Sequence, residues 1–286
     1  METNPVSPFV HIGTSSFSEK DWVGPFYPEG TKPRDFLKIY AEHYGAVEID
    51  ATYYAVPARK AVESWAAKTP EDFVICAKFP RSIVHCGEGP KPDATKILLA
   101  EHTYEERDRF LDVISNLGSR IGPLVLQFPY FSKEIFPKAG EFIDRLDRFL
   151  ADLPTDYRYA VEIRNRYWLK SSFANLLKNH NVALVLVDQS WMPMADEVEK
   201  LFDPVTTDFC YIRLLGDRRE IEAITKSWDK EVIDRSERLE RWADYIFRLH
   251  QKQVRTYIFI NNHYAGHAPA TLRRLEELFR KRLGNG

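Results

Sequence analysis

The sequence predicts a (β/α)8 barrel (TIM barrel) that forms a single domain over residues 1–286. Eight short apolar segments of strand length recur along the chain, and amphipathic stretches of helical length separate them. No tight hairpin turn such as Asn-Gly joins two of these segments, so parallel pairing is favoured. Eight strands that alternate with helices in about 250 residues are typical of this barrel.

The predicted elements follow one another in a regular order. The strand segments are rich in Val, Ile, Phe and Tyr, which favour strands. They comprise residues 9–13, 47–52, 73–78, 124–128, 159–164, 183–188, 209–214 and 256–261. The predicted helices comprise residues 33–44, 59–68, 105–117, 134–150, 170–180, 231–253 and 268–283. The weakest helical pattern lies between strands six and seven, where residues 191–200 begin with a proline-broken loop.

A doubly wound open sheet is the alternative architecture, and it would carry a Gly-rich phosphate-binding turn after an early strand. The sequence contains neither GxGxxG nor GxxxxGK[ST]. No Pro/Gly/Ser-rich linker divides the chain, which favours one domain. The longest irregular segment, residues 81–103, carries His85. We expect it to cover or flank the carboxyl-terminal mouth of the barrel and to be mobile, because loops of this length are usually functional.

Composition excludes several classes of protein. The chain has 40 Lys and Arg against 42 Asp and Glu, so it lacks the basic excess of a nucleic-acid-binding protein. No apolar run approaches the roughly 18 residues of a membrane span, and the first residues do not resemble a signal peptide. Cys76, Cys86 and Cys210 form no CxxC pair. We therefore expect a cytoplasmic protein that binds neither nucleic acid nor membranes, and the sequence leaves its oligomeric state open.

Polar residues occupy strand positions that should face the barrel interior. Side chains alternate between the two faces of a strand, so if Val47 and Ile49 face the helices, Glu48 and Asp50 point inward. The same alternation assigns an inward orientation to His11, Ser15, Lys78, Gln127, Glu162, Arg164, Asp188, Arg213, Asn261 and His263. A barrel interior that needed only packing would carry Val, Ile and Leu there. The polar ring therefore requires mutual pairing or a ligand.

The charges in this ring nearly cancel. Glu48, Asp50, Glu162 and Asp188 oppose Lys78, Arg164 and Arg213. One interpretation is a structural ion-pair network that plugs the barrel. The other is an active site, because the groups collect at the end of the strands where barrel enzymes bind their substrates. Near-neutrality also indicates that the substrate is not a bare polyanion.

Aromatic residues follow the same strands. Aromatic walls around a few polar groups are typical of small-molecule pockets, and flat rings stack on sugars or bases. Packing of the loops onto the barrel rim is the other interpretation, and it accounts for about half of these residues. They are Phe17, Trp22, Phe26, Tyr27, Tyr53, Tyr54, Tyr130, Phe131, Tyr167, Trp168, Trp191 and Tyr264.

Several sequence blocks occur together in one order. They are GTSSFSEKDWVGPFYP (13–28), VEIDATYYAVP (47–57), LVLQFP (124–129), AVEIRNRYW (160–168), YIRLLG (211–216) and FINNHYAGHA (259–268). With these blocks the chain resembles the YecE-like proteins, which carry the domain of unknown function 72. The resemblance covers essentially the whole chain and implies a (β/α)8 barrel, but it supplies no established activity.

The resemblance also implies site residues. The positions that match are Glu48, Lys78, His85, Gln127, Glu162, Arg164, Arg213, Asn261 and Asn262. The chain departs from the family pattern at Asp50, where Asn is usual, and at Leu215, where His is usual. It also has Ser16-Phe17 in place of Gly-Trp and Val84 in place of Thr. The change at Asp50 adds a carboxylate to the predicted site.

Paired carboxylates next to aromatic walls predict acid–base chemistry on a small, polar, ring-bearing metabolite, sugar-like or nucleoside-like, at the carboxyl-terminal mouth. Such an enzyme would be a hydrolase, a lyase or an isomerase. The catalytic candidates are Glu48, Asp50, Lys78, Glu162, Arg164 and Arg213, and the candidates for substrate binding are His85, Gln127, Trp168, Asp188, Asn261, Asn262 and His263. We expect Glu162 to hold one of the cations where an oxyanion forms, and Glu48 or Asp50 to act as a base with a raised pKa.

Other chemistries remain open. Lys78 could form a Schiff base if its neighbours depressed its pKa, although pairing with Glu48 or Glu162 is the simpler interpretation. A divalent metal would draw on His85, Glu162, Asp188 and His263, but the three cations in the same ring would repel it, so we expect no metal and no other cofactor. The alternative function is a non-catalytic barrel that binds a small molecule or a partner protein.

Overall fold

The computed structural model describes residues 7–284. Its eight strands are parallel, pair in sequence order and close into a barrel through the pairing of the last strand with the first. The predicted (β/α)8 barrel is therefore confirmed. The strands are β1 Val10–Thr14, β2 Ala46–Ile49, β3 Val74–Lys78, β4 Ile121–Gln127, β5 Tyr159–Glu162, β6 Ala183–Asp188, β7 Phe209–Leu214 and β8 Arg255–Ile260.

Ten α-helices lie within residues 7–284, most of them in the predicted intervals. They are α1 Phe36–His43, α2 Arg59–Ala67, α3 Arg81–Val84, α4 Ala100–Ile114, α5 Ala139–Ala151, α6 Ser171–Asn179, α7 Ala195–Val198, α8 Arg218–Glu222, α9 Ser236–Gln251 and α10 Ala268–Gly284. The weak pattern between strands six and seven forms only the four-residue helix α7. No helix among the described residues is long and apolar enough to cross a membrane.

The hydrophobic core has two parts, one on each face of the barrel wall. Val47, Ile49, Ile212 and Ile258 belong to the larger cluster, which packs between strands and helices. The smaller cluster fills the interior and includes Ala46, Cys76, Val125, Tyr211 and Tyr257. Apolar and aromatic residues therefore pack the barrel interior toward the amino ends of the strands. Polar residues occupy the layer near the carboxyl ends.

Two strands end two or more residues earlier than predicted. Strand β2 ends at Ile49, and Asp50–Tyr53 forms a turn of 3-10 helix. Strand β5 ends at Glu162, so Arg164 lies beyond the sheet. In both cases the chain turns away from the strand direction, which brings the side chains of Asp50 and Arg164 to the mouth of the barrel rather than into its interior.

The predicted inward orientation of Asp188 is wrong. Asp188 shares the face of Leu184 and Leu186, which pack against the helices, whereas Val185 and Val187 belong to the interior cluster. Its carboxylate accepts hydrogen bonds from Trp242 Nε1 at 2.6 Å, from the Tyr264 hydroxyl at 2.9 Å and from Arg238. Strand β6 is apolar except at Asp188, so alternation of polarity carries no information about its faces.

Candidate active site

Arg213 lies at the centre of the polar layer. Its side chain rises from β7 and is 2% exposed. The guanidinium donates to Glu48 Oε1 from Nε at 3.1 Å and from Nη2 at 2.8 Å. Its Nη1 donates to Gln127 Oε1 at 2.7 Å and to Glu162 Oε2 at 2.5 Å. One planar cation therefore joins side chains from β2, β4 and β5 across the barrel, a role that suits the fixed fork of arginine.

Glu48 is held as an anion inside the barrel. The Tyr211 hydroxyl donates to its Oε2 at 2.7 Å, and Lys78 Nζ lies 3.3 Å from its Oε1. Burial alone would raise the pKa of Glu48, but Arg213, Lys78 and the hydrogen bond from Tyr211 lower it to about 2. The predicted raised pKa is thus wrong for Glu48, because the expectation counted burial and the carboxylate neighbour and not the two cations.

Glu162 is the second fully buried carboxylate. It accepts from Arg213 through Oε2 and from Arg164 Nε through Oε1 at 3.0 Å. Burial opposes its ionisation, but Arg213 and Arg164 outweigh burial and lower its pKa. The prediction required Glu162 to hold at least one of Lys78, Arg164 and Arg213. Its carboxylate pairs with the two arginines and fixes the positions of their guanidinium groups.

Asp50 and Lys78 form a pair at the top of this cluster. Lys78 Nζ contacts Asp50 Oδ1 as well as Glu48. The Lys78 side chain is 4% exposed, whereas that of Asp50 is 35% exposed. Of the three clustered carboxylates, Glu48, Asp50 and Glu162, Asp50 is therefore the one that reaches solvent. Lys78 pairs with carboxylates, in line with the simpler of the two interpretations made for it.

A cavity of about 610 Å³, called the main cavity below, opens above the cluster at the carboxyl ends of the strands. Its floor is polar and comprises Asp50, Lys78, Gln127, Arg164, Arg213 and Asn261. Tyr53, Tyr54 and Trp191 form aromatic walls, and residues 215–219 line the rim. The volume lies within the range of about 300–1,000 Å³ that small-molecule sites occupy.

A second cavity of about 500 Å³, the aromatic groove, lies beside the main cavity. Tyr130, Phe131, Phe136, Tyr167, Trp168 and Trp191 line it. Trp168 therefore belongs to this groove and not to the main cavity. By contrast, Trp22, Tyr27 and Tyr264 are buried and pack the loops onto the barrel. The aromatic residues that follow the strands thus divide into packing residues and the walls of two neighbouring cavities.

His85 lies outside both cavities. Its Nδ1 is 3.2 Å from the Gly87 amide nitrogen and 3.2 Å from Arg81 Nη2, and its Nε2 is 3.3 Å from the Pro90 carbonyl oxygen. These partners fit a neutral ring that accepts at Nδ1 and donates at Nε2. The structure describes all of residues 81–103, and none of them lines the main cavity. The segment follows the carboxyl end of β3, so it starts beside the mouth without covering the cavity, and its mobility stays a prediction.

The residues after β8 serve the mouth in different ways. Asn261 Oδ1 accepts from the His263 backbone N–H at 2.9 Å and lies 2.6 Å from His263 Nδ1. Both side chains line the main cavity. Asn262 instead accepts from Trp22 Nε1 at 3.2 Å and from the Ala268 N–H at 3.0 Å, in a side pocket of about 170 Å³. Asn262 therefore fixes the entry to α10.

The four residues on which a divalent metal would draw do not come together. His85 and Asp188 lie away from the main cavity, and Glu162 is occupied by two arginines. Within residues 7–284, no group of three or more His, Cys, Asp or Glu side chains is arranged to hold a metal ion.

Sequence reasoning missed two kinds of site residue. Tyr211 holds Glu48 and lies two residues before Arg213 in β7, so alternation alone places both on the inward face. Tyr211 is neither charged nor an amide, so a pattern of charged and amide side chains does not include it. The rim residues after β7, among them Asp217 and Arg219, carry no signal in a strand pattern, because they lie beyond the strand at the start of α8.

The two lowered carboxyl pKa values predict an acid-sensitive fold. Because the pKa of Glu48 falls from 4.5 to about 2 on folding, the unfolded chain binds the proton more readily. The stabilisation is complete above pH 5 or so and is lost as the pH falls toward about 2. From Glu48 alone, the free energy of unfolding should drop by roughly 2 kcal/mol between about pH 6 and about pH 3.

Urea denaturation at several pH values measures this drop. Because the pairs are buried, the drop should persist in high salt, whereas contributions from surface carboxylates should be screened. A free energy of unfolding that stays constant over the same pH range would contradict the ionised buried cluster.

The fold and the site define a class: a (β/α)8-barrel protein with a buried ion-pair cluster beneath an open polar cavity at its carboxyl-terminal mouth. Within that class, the chain belongs to the protein family of unknown function DUF72, whose model matches residues 11–285. The predicted family membership is therefore confirmed.

Known relatives agree with this placement. The UPF0759 protein YecE of Escherichia coli K12 is 30% identical over 157 residues, which are 54% of this chain and 48% of that protein. The match thus spans about half the length of that relative. A DUF72 family crystal structure from Thermotoga maritima has 28% identity and a TM-score of 0.68, covering 96% of this chain and 99% of that one. Another from Enterococcus faecalis has 21% identity and a TM-score of 0.67, covering 94% and 95%, and shows the same fold.

Proposed function

We propose that the protein is an enzyme that performs acid–base chemistry on a small, polar, ring-bearing metabolite in the main cavity, with Asp50 as the proton acceptor. One observation carries this proposal. Asp50 is 35% exposed and faces the cavity, whereas Glu48 and Glu162 are fully buried and each accepts hydrogen bonds on both oxygens. A general base must reach the proton that it removes, and among these three carboxylates Asp50 alone has that access.

The neighbours of Asp50 suit this role. Lys78 Nζ contacts Asp50 Oδ1, so the ammonium group orients the carboxylate, and Oδ2 makes no hydrogen bond to residues 7–284. Arg164 lines the same floor and donates to Glu162 only through Nε. Its two terminal nitrogens make no hydrogen bond to residues 7–284 and are open to a negatively charged group of the ligand. Arg213 instead uses all three of its nitrogens on Glu48, Glu162 and Gln127, and it positions the two carboxylates.

The charge and shape of the cavity indicate the class of substrate. Lys78, Arg164 and Arg213 balance Glu48, Asp50 and Glu162 in the cluster, so the floor favours a ligand of little net charge. Asn261 and Gln127 add amide groups that hydrogen-bond hydroxyls or ring heteroatoms. The walls formed by Tyr53, Tyr54 and Trp191 suit stacking on a ring. A sugar-like or nucleoside-like ring meets these requirements.

A non-catalytic binding barrel is the second candidate function, and one observation favours it. Arg213 hydrogen-bonds both Glu48 and Glu162 deep in the barrel, as a network that only supports the barrel would. Buried ion pairs of this kind are found without any catalytic role. In that case the main cavity would hold its ligand unchanged.

Metabolite screening followed by a conversion assay separates the two functions. Thermal shift identifies compounds that stabilise the protein, since a ligand at 100 times its dissociation constant adds about 2.7 kcal/mol. Each stabilising compound is then incubated with the protein and followed by mass spectrometry and NMR. The proposal expects a ring-bearing compound to be converted with turnover. Compounds that bind in the main cavity and are recovered unchanged would support the binding barrel instead.

A further inference from the structure

The aromatic groove adjoins the proposed active site. It shares Arg164 and Trp191 with the main cavity, so both cavities meet at these two side chains. Its volume of about 500 Å³ is close to that of the main cavity, yet the proton transfer assigned to Asp50 makes no use of it. A cavity of this size next to a reaction centre is large enough for a second part of the same ligand.

The walls of the groove are aromatic and partly held in place. The Trp168 ring stacks on Phe131 at 5.9 Å and 25°, and it also contacts Phe142 with ring centroids 5.2 Å apart. Packing against Phe131 and Phe142 therefore fixes the position of the Trp168 ring. Tyr130 and Tyr167, in contrast, are 62% and 79% exposed. Large exposed rings beside a supported indole offer stacking surface to a flat group.

The charges of the groove are of one sign. Lys133, Arg164 and Arg166 line it, and among the described residues no carboxylate does. The Arg166 guanidinium lies 5.5 Å from the centre of the Tyr167 ring. The main cavity above the neutral cluster differs, because Asp50 and Asp217 line it as well as cations. The groove is thus complementary to an aromatic group that carries negative charge or is attached to a negatively charged group.

Arg164 occupies the junction of the two cavities. Its Nε is fixed by Glu162 at 3.0 Å, while its terminal nitrogens have no hydrogen-bond partner within residues 7–284. A guanidinium held at one edge and open at the other presents two parallel donors, the geometry that binds carboxylate or phosphate oxygens. A group that links two halves of a ligand would lie at this point.

We propose that the substrate has two parts: a polar ring in the main cavity and a flat aromatic group in the aromatic groove, joined near an anionic group bound by Arg164. The assignment of the polar part rests on the proposed function, whereas the preference of the groove is a property that can be measured by itself. The groove gives the enzyme a way to select its substrate at a distance from the proton transfer.

The first experiment uses naphthalene-2-carboxylate as the probe and isothermal titration calorimetry as the measurement. The probe should bind more tightly than cyclohexanecarboxylate, which is anionic but not flat. The Tyr167→Ala variant should lower its affinity at least about fivefold, since aromatic stacking contributes about 1–3 kcal/mol per ring. Tyr167 is 79% exposed, so its removal should leave the fold intact.

Tyr54→Ala is the matched control. Tyr54 is 73% exposed and lines the main cavity but not the groove, so this variant should keep the affinity of the wild type for the probe. Equal losses in Tyr54→Ala and Tyr167→Ala would overturn the assignment of the groove. Failure of naphthalene-2-carboxylate to bind at millimolar concentration would overturn it too.

The second experiment tests the junction. Arg164→Gln should weaken naphthalene-2-carboxylate but not the neutral naphthalene-2-methanol, and Arg164→Lys should retain part of the affinity for the anion. Loss of both probes to the same extent, or of neither, would overturn the role of Arg164 as the binding point of the linking group. A groove that binds these probes as expected, in a protein that converts no metabolite, would support the groove assignment and count against the proposed reaction alone.

Discussion

The Arg213→Met variant is expected to lose about 3–5 kcal/mol of its free energy of unfolding, or to fail to accumulate as folded protein. The reason is that the substitution leaves two buried carboxylates without their shared cation. Glu48 and Glu162 are both fully buried, and Arg213 is the cation that contacts both. Methionine replaces the aliphatic part of the arginine side chain and carries no charge, so two carboxylates would face each other across the barrel, with Lys78 and Arg164 as their remaining cations.

Urea denaturation of the wild type and the variant measures this loss. Arg59→Met is the control, because Arg59 forms an exposed pair with Asp112 at 2.7 Å and should cost less than about 1 kcal/mol. If Arg213→Met does not fold, the triple variant Glu48→Gln/Glu162→Gln/Arg213→Met decides the matter. Removal of all three charges should restore folding, because buried ion pairs can be replaced by neutral groups of similar volume. An Arg213→Met protein within about 1 kcal/mol of the wild type would contradict the central role of Arg213.

The sequence predicts the barrel and most members of the cluster for a simple reason. Where apolar and polar residues alternate, as in Val47, Glu48 and Ile49, the polar residue marks the interior face. Arg213 in β7 and Glu162 in β5 are found in the same way. Asp188 is misplaced because the strand that precedes it is apolar at every position, so neither face is marked.

The pairing inside the cluster could not be predicted from the sequence. Alternation places a side chain inside the barrel, but the partner depends on strand tilt and stagger. Glu48 illustrates the consequence. Burial and a neighbouring carboxylate predict a raised pKa for Glu48, yet Arg213 and Lys78 lie close enough to lower it.

The division of the mouth into two cavities could not be predicted from the sequence either. Tyr54, Tyr167, Trp168 and Trp191 all follow strands, and nothing in the sequence assigns them to different walls. Their positions depend on the course of the loops, which strand periodicity does not describe. The loop after β3 is a further example, because His85 contacts Gly87 and Pro90 of its own loop and not a cavity.

The Asp50→Asn variant is expected to fold normally and to lose at least about a hundredfold in turnover of whichever metabolite the protein converts. Asparagine keeps the size of the side chain and can still accept from Lys78, but it cannot take up a proton. The side chain is 35% exposed, so the change in the free energy of unfolding should stay within about 1 kcal/mol.

Ligand affinity should not fall together with turnover in the Asp50→Asn variant. The variant leaves Lys78, Arg164 and Arg213 against Glu48 and Glu162, so the cluster gains one net positive charge. Ligand affinity should therefore hold for neutral compounds and rise for anions while turnover falls. Asp196→Asn is the control, since Asp196 pairs with Arg241 at 2.7 Å outside the main cavity and should leave both quantities unchanged. A stable Asp50→Asn protein with the turnover of the wild type would remove Asp50 as the base and leave the buried network as a structural support for a binding cavity.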